Sequence, residues 1–182
     1  MPNQLLAICF DFGDTLIDQA TEVKDETLTT LQAELIPGAD RLLRELKRRG
    51  YRLAMVSNGP VNSIPNVFGA HDLYDLFKVC AVSEGLGVRK PDPRIFCHAL
   101  DHFGIRREQY GRTVMVGNDL AADVAGANGL GMISVWLNWA PRGRKVPTSD
   151  LELPQHTIAE PLALLPLLDD LERRFSNERT NS

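Results

Sequence analysis

The chain has 182 residues, 43% hydrophobic and 24% charged, which is enough apolar material for one domain with a full core and too little for two. Its formal net charge of -4, with Lys and Arg scattered along the chain, excludes nucleic acid as a primary ligand on electrostatic grounds and leaves phosphorylated molecules open. No apolar stretch approaches bilayer length, no basic leader precedes an apolar core, and the three cysteines, Cys9, Cys80 and Cys97, sit in apolar runs, so a reduced, cytoplasmic protein without a membrane partner is expected.

Leu5 to Phe10 reads as a buried strand that ends on Asp11, a carboxylate placed where α/β sheets bind their ligands. The stretch 18–37 has room for one short helix. Ala39 to Arg49 carries leucines at helical spacing, basic residues near its end and Gly50 as a stop. Arg52 to Val56 is the second strand, followed by the Ser57-Asn58-Gly59 turn, and Lys78 to Val82 the third. Asp92-Pro93 opens a helix with Ile95, Phe96, Ala99, Leu100 and Phe103 on one face, and Gly104 closes it. Thr113 to Val116 is a fourth strand, Asp119 to about Ala127 a helix and Met132 to Leu137 a fifth strand. Pro141 to Pro154 reads as a loop carrying Arg142, Arg144 and Lys145. Pro161 to Phe175 reads as a terminal helix with Pro166 positioned to kink it, and 176–182 as a disordered polar tail. Strands alternating with helices predict an α/β domain over 1–175 with a mainly parallel sheet.

Four segments put polar groups at predicted strand ends: Asp11 to Thr15, Ser57-Asn58, Arg89-Lys90, and Gly117 to Asp123. Each alone is ordinary, since Asp caps turns and helices and Ser-Asn-Gly is a common turn. In this order and spacing, Phe10-Asp11-Phe12-Gly13-Asp14-Thr15-Leu16, Val56-Ser57-Asn58-Gly59, Arg89-Lys90-Pro91-Asp92 and Val116-Gly117-Asn118-Asp119 through Asp123 resemble the haloacid dehalogenase-like hydrolase superfamily, most of whose members are phosphatases.

The resemblance implies a Rossmann-type three-layer α/β/α sandwich and a Mg²⁺-dependent phosphohydrolase. It implies Asp11 as the nucleophile that takes up the phosphoryl group, since a covalent intermediate splits one difficult transfer into two easier ones. Ser57 and the Asn58 backbone N–H are implied as substrate-binding groups, and Lys90 as a charge beside the nucleophile that also binds substrate. The metal set implied is Asp11, the Gly13 carbonyl and some of Asn118, Asp119 and Asp123, all oxygen donors as a hard cation prefers. The substrate implied is a phosphorylated small molecule or a larger phosphorylated one.

Three positions depart from that pattern. The family's phosphatases carry an acid–base Asp two residues after the nucleophile, where this chain has Gly13; such a group is worth about 10²–10⁴ in rate, and Asp14 is the candidate substitute. Asn118 stands where an acid is usual, which predicts weak metal binding. The 18–37 insert is too short for a full cap domain, so an essentially open site is expected, closed if at all by a partner in a homo-oligomer. A binding or regulatory protein with little turnover is the alternative reading, and a 2-haloacid dehalogenase a less favoured one.

Overall fold

The run from Leu5 becomes a strand because both of its faces are covered. In the computed structural model, which describes residues 3–139, 143 and 145–180, β1 (Ala7–Phe10) sends Ile8 and Phe10 into one apolar cluster and Ala7 and Cys9 into another. Successive side chains of a strand point to opposite faces, so a strand covered on both sides shows no alternation in its sequence.

The chain then makes a 3₁₀ turn (Gln19–Thr21) and a short antiparallel hairpin of β2 (Val23–Lys24) and β3 (Thr30–Gln32). It continues through α1 (Ala39–Arg48), β4 (Leu53–Ser57), α2 (Ser63–Ala70), β5 (Phe77–Val82), α3 (Ser83–Leu86) and α4 (Pro93–His102). After β6 (Thr113–Gly117), a π-helical turn (Leu120–Val124) runs into α5 (Ala125–Leu130). β7 (Ile133–Leu137), β8 (His156–Ile158) and α6 (Leu164–Thr180) complete it.

Six strands form one parallel sheet in the order β5-β4-β1-β6-β7-β8. This is the doubly wound arrangement, in which chain order reverses beside the first strand and ligands bind at the reversal, beyond the strand carboxyl ends. Leucines of α1 and α6, with Ile64, Val67 and Phe68 of α2, cover one face. Ile95, Phe96, Ala99 and Leu100 of α4 and Ala127 of α5 cover the other, giving the three layers. The three cysteines are free, and burial pushes the Cys9 thiol up to about 12 and that of Cys80 to about 11.

The structure corrects the reading of 18–37. Beyond the single 3₁₀ turn, the insert holds the hairpin, turned by Asp25, whose Oδ1 accepts the Thr27 and Thr29 N–H groups. Local side-chain acceptors of this kind compete with a helix for the backbone. Two further elements had no sequence signal: α2 has eight residues including Pro65 and Gly69, and β8 is three residues with only Ile158 buried. The polar tail is also corrected. α6 runs on through 176–180, beyond Phe175, which packs on the core; 181–182 lie outside the described residues. Pro166 falls in the first turn of α6, where its missing N–H has no intrahelical acceptor in any case.

Candidate active site

Asp11 follows β1 directly and is held in line with the sheet by its own N–H, which donates to the Val116 carbonyl at 2.9 Å. Ser57 ends β4, Lys90 comes from the segment between α3 and α4, and Asn118 and Asp123 follow β6. All five line one cavity of about 250 Å³. Four separate segments therefore deliver their polar groups to one edge of the sheet.

The centre of this edge is the Lys90 ammonium. It donates to Asp11 Oδ1 at 2.6 Å, to Asp123 Oδ1 at 2.7 Å and to the Val56 carbonyl at 2.7 Å, so its three protons are all engaged. Asn58 fixes the Lys90 backbone by a reciprocal pair, Oδ1 accepting the Lys90 N–H at 2.8 Å and Nδ2 donating to its carbonyl at 3.2 Å. Burial works against the ammonium, but the charges of Asp11 and Asp123 outweigh it and hold Lys90 above the ordinary lysine range. Asp123, with one cation shared between two acids, is pushed up to about 7, first by burial and further by the Asp11 charge, while Lys90 pulls the other way.

The two acids differ in access. The Asp11 side chain keeps 13% of its surface exposed, whereas that of Asp123 keeps 1%. Only Asp11 can meet a molecule in the cavity. Asp123 also accepts the Asp119 N–H at 3.0 Å, and it fits because Gly117 has no Cβ, which would run into its carboxyl carbon. Ser57 has a hydroxyl without a hydrogen bond to any other described residue, so it remains open to a ligand.

Gly13 lies at the cavity wall, whereas Asp14 does not reach the cavity. Asp14 is 2% exposed with φ 51°, does not line the cavity, and its Oδ1 accepts the Gln19 N–H at 3.1 Å. Its carboxylate braces the start of the 3₁₀ turn, which corrects its candidacy as the acid–base group. The site is also less open than a short insert implies, because the 3₁₀ turn and the hairpin line the cavity with Gln19, Glu22, Lys24, Leu28 and Thr30. Thr30 ties the hairpin to α2: its N–H donates to Ser63 Oγ at 3.0 Å and its carbonyl accepts from Asn66 Nδ2 at 3.1 Å.

The oxygen donors proposed for a cation divide the same way. Asp11 Oδ2 and Asn118 Oδ1 lie 3.3 and 3.4 Å from the Thr15 hydroxyl, so a carboxylate and an amide oxygen converge at one place, with Gly13 also at the cavity wall. Trp136 Nε1 donates to the Asn118 carbonyl at 2.9 Å and steadies it. Asp119 instead caps the π-helical turn through the Ala121 and Ala122 N–H groups, and Asp123 is spent on Lys90. Among the described residues no three His, Cys, Asp or Glu side chains gather to hold a metal. An all-oxygen set of one carboxylate, one amide and one carbonyl fits a hard cation, and with a single charge it fits weakly.

Thr15 lies within the Asp11 segment but was given no role of its own, and Gln19 and Glu22 had no signal that marked them as site residues. Thr15 stands four residues after Asp11, and the other two reach the cavity only because the insert folds back as a hairpin. Of the basic loop, Lys145 sits 5.6 Å from the centre of the Trp136 ring and does not line the cavity; Arg142 and Arg144 lie outside the described residues.

Comparison with known proteins matches residues 21–131 to the model of the haloacid dehalogenase-like hydrolases, a match that begins after the Asp11 segment. A glyceraldehyde 3-phosphate phosphatase of Pyrococcus furiosus is 32% identical over 145 residues, 79% of this chain and 57% of that protein. A phosphoserine phosphatase of Thermus thermophilus is 38% identical over 105 residues, 57% of this chain and 41% of that protein. The chain thus spans about half the length of the curated relatives it matches. Among solved structures, an HAD phosphatase from Thermococcus onnurineus superposes with a TM-score of 0.73 at 18% identity, covering 90% of this chain and 97% of the other, a likeness of fold.

Proposed function

This chain belongs to the haloacid dehalogenase-like hydrolase family, and on that premise we propose that it is a Mg²⁺-dependent phosphohydrolase working through an aspartyl-phosphate on Asp11. The observation that carries the reading is the contrast between the two acids on Lys90, one open to the cavity and one sealed. A carboxylate that reaches the cavity and is held at 2.6 Å by a buried ammonium is fixed in place for attack on a phosphoryl group.

Asp11 attacks phosphorus, and the bond from phosphorus to the leaving oxygen breaks. Ser57 donates its hydroxyl to a phosphoryl oxygen, with the Asn58 backbone N–H beside it. Lys90 stays bound to Asp11 and offsets the charge gathering there. Water then cleaves the aspartyl-phosphate and restores the carboxylate. Asp11, Asn118 and the Gly13 carbonyl would hold the divalent cation, which when bound neutralises charge between two anions. A cavity of about 250 Å³ with a polar lining supports a small phosphorylated substrate, in keeping with the names of the relatives.

The residue that favours a binding protein over an enzyme is Gly13, which cannot move a proton. A panel of phosphorylated metabolites assayed with and without Mg²⁺, wild type against Asp11→Asn, separates the two. Phosphate release that needs both Asp11 and the cation is expected. Release at full rate from Asp11→Asn contradicts the mechanism.

A further inference from the structure

The acids that line the cavity are already employed. Glu22 accepts from Thr30 Oγ1 at 2.6 Å and pairs with Lys24 at 2.8 Å. Asp119 caps its turn and Asp123 is sealed on Lys90, whose three protons are engaged. Among the described carboxylates of the cavity other than Asp11, Asp119 alone keeps an oxygen without a hydrogen bond, its Oδ2, and it is not among the atoms nearest to a side chain at position 13.

The place where such a group would project is filled. A Cβ built on Gly13 would stand 2.5 Å from Gln19 Nε2, 2.6 Å from its Cδ and 3.0 Å from its Cγ. The Gln19 side chain therefore occupies the volume of any side chain at position 13, and it lines the cavity alongside Asp11. Its carboxamide has no hydrogen bond to another described residue, while its backbone is pinned by the buried Asp14. Glycine makes the room, Asp14 fixes the turn, and Gln19 fills the space.

We infer that Gln19 stands in the acid–base position as a group that hydrogen-bonds without transferring a proton, and that the substrates are phosphoryl compounds of weakly basic leaving groups, acyl phosphates foremost. This rests on the phosphohydrolase reading above. A carboxamide offers two N–H donors and a carbonyl but releases no proton near neutral pH. In the first step Asp11 forms a bond to phosphorus, the bond to the leaving oxygen breaks, and its electron pair departs on that oxygen as an anion. A carboxylate or a phenolate tolerates that charge; an alkoxide does not. In the second step water attacks phosphorus, the bond to Asp11 breaks with its electrons returning to the carboxylate, and both protons of the water leave with the phosphate.

The test compares phosphate release from acetyl phosphate, para-nitrophenyl phosphate and glycerol phosphate by wild type, Gln19→Glu and Gly13→Asp. Wild type is expected to show kcat/KM for acetyl phosphate about 10²–10⁴ above that for glycerol phosphate, the span a positioned acid supplies. Gln19→Glu, which puts a proton-carrying group in the same volume, is expected to narrow that ratio at least about tenfold through kcat with KM little changed. Gly13→Asp is expected to do the same, since the exposed far end of Gln19 can swing aside. Equal turnover of acetyl and glycerol phosphate by wild type, or an unaltered ratio in both variants, overturns the inference and leaves the phosphohydrolase reading standing. No phosphate from any of the three overturns that reading itself.

Discussion

Replacing Lys90 with methionine keeps a stem of similar volume and deletes the ammonium. Three hydrogen bonds of 2.6 to 2.7 Å disappear, and two carboxylates are left without their cation in a place where the lysine side chain was 2% exposed. Removing one partner of a buried pair costs about 3–5 kcal/mol, because the other charge stays behind unpaired. For a chain of this size about 1 kcal/mol moves the melting temperature by about 2–4 °C, so a fall of about 6–20 °C is expected. The deficit should depend on pH. Burial already pushes the Asp123 carboxyl up to about 7, and without Lys90 only the weaker hydrogen bond from the Asp119 N–H is left to pull it down. A carboxyl whose folded pKa lies above its unfolded one stabilises the fold when protonated, and that contribution is lost as pH rises through the folded value. The variant should therefore lose most near about pH 8 and recover toward about pH 5.5, and Lys90→Met with Asp123→Asn should be less impaired than Lys90→Met alone. Thermal melts by circular dichroism read all of this. An unchanged melting temperature, or an equal loss at both pH values and in the double variant, refutes the assignment of Lys90 as the shared counter-ion.

Three other outcomes follow from particular contacts. A Cβ at Gly126 of α5 would run into the ring of Phe96, which is fully buried, so Gly126→Ala should cost about 1–3 kcal/mol by overpacking, more than helix propensity returns, and lower the melting temperature. Burial, with the Arg174 charge adding to it, holds the His156 imidazole below its ordinary value, so the unfolded chain binds that proton more tightly and stability should fall as pH drops through about 6.5; His156→Gln should flatten that slope in melts across the window. Titrating Mg²⁺ against thermal stability should give a weak midpoint, since the donors are one carboxylate, one amide and one carbonyl, and submicromolar binding would contradict that donor set.

The centre of the sheet was legible because its strands are buried on both faces and read as apolar runs, of which Ala7–Phe10 and Leu53 to Val56 are the clearest. α4 was legible from Asp92-Pro93 to Gly104, since its cap, its first proline and its apolar face all agree. The hairpin was not. Its pairing depends on Asp25 turning the chain and on Thr30 meeting Ser63 and Asn66, contacts made across more than thirty residues. At the site, Asp11 and Ser57 stand at strand ends as read from the sequence and Lys90 arrives from the segment between α3 and α4, whereas the fates of Asp14 and Asp119 turned on which backbone N–H groups their oxygens found. Gly13 was legible as a missing acid. What fills its space comes from six residues later in a turn that no periodicity announces.

The central claim is that Asp11 carries the phosphoryl group. Wild type mixed with acetyl phosphate and Mg²⁺, quenched in acid and digested, should yield a phosphorylated peptide containing Asp11 by mass spectrometry, and Asp11→Asn should yield none. Phosphate release by wild type with no label on Asp11, or undiminished turnover by Asp11→Asn, would contradict the account.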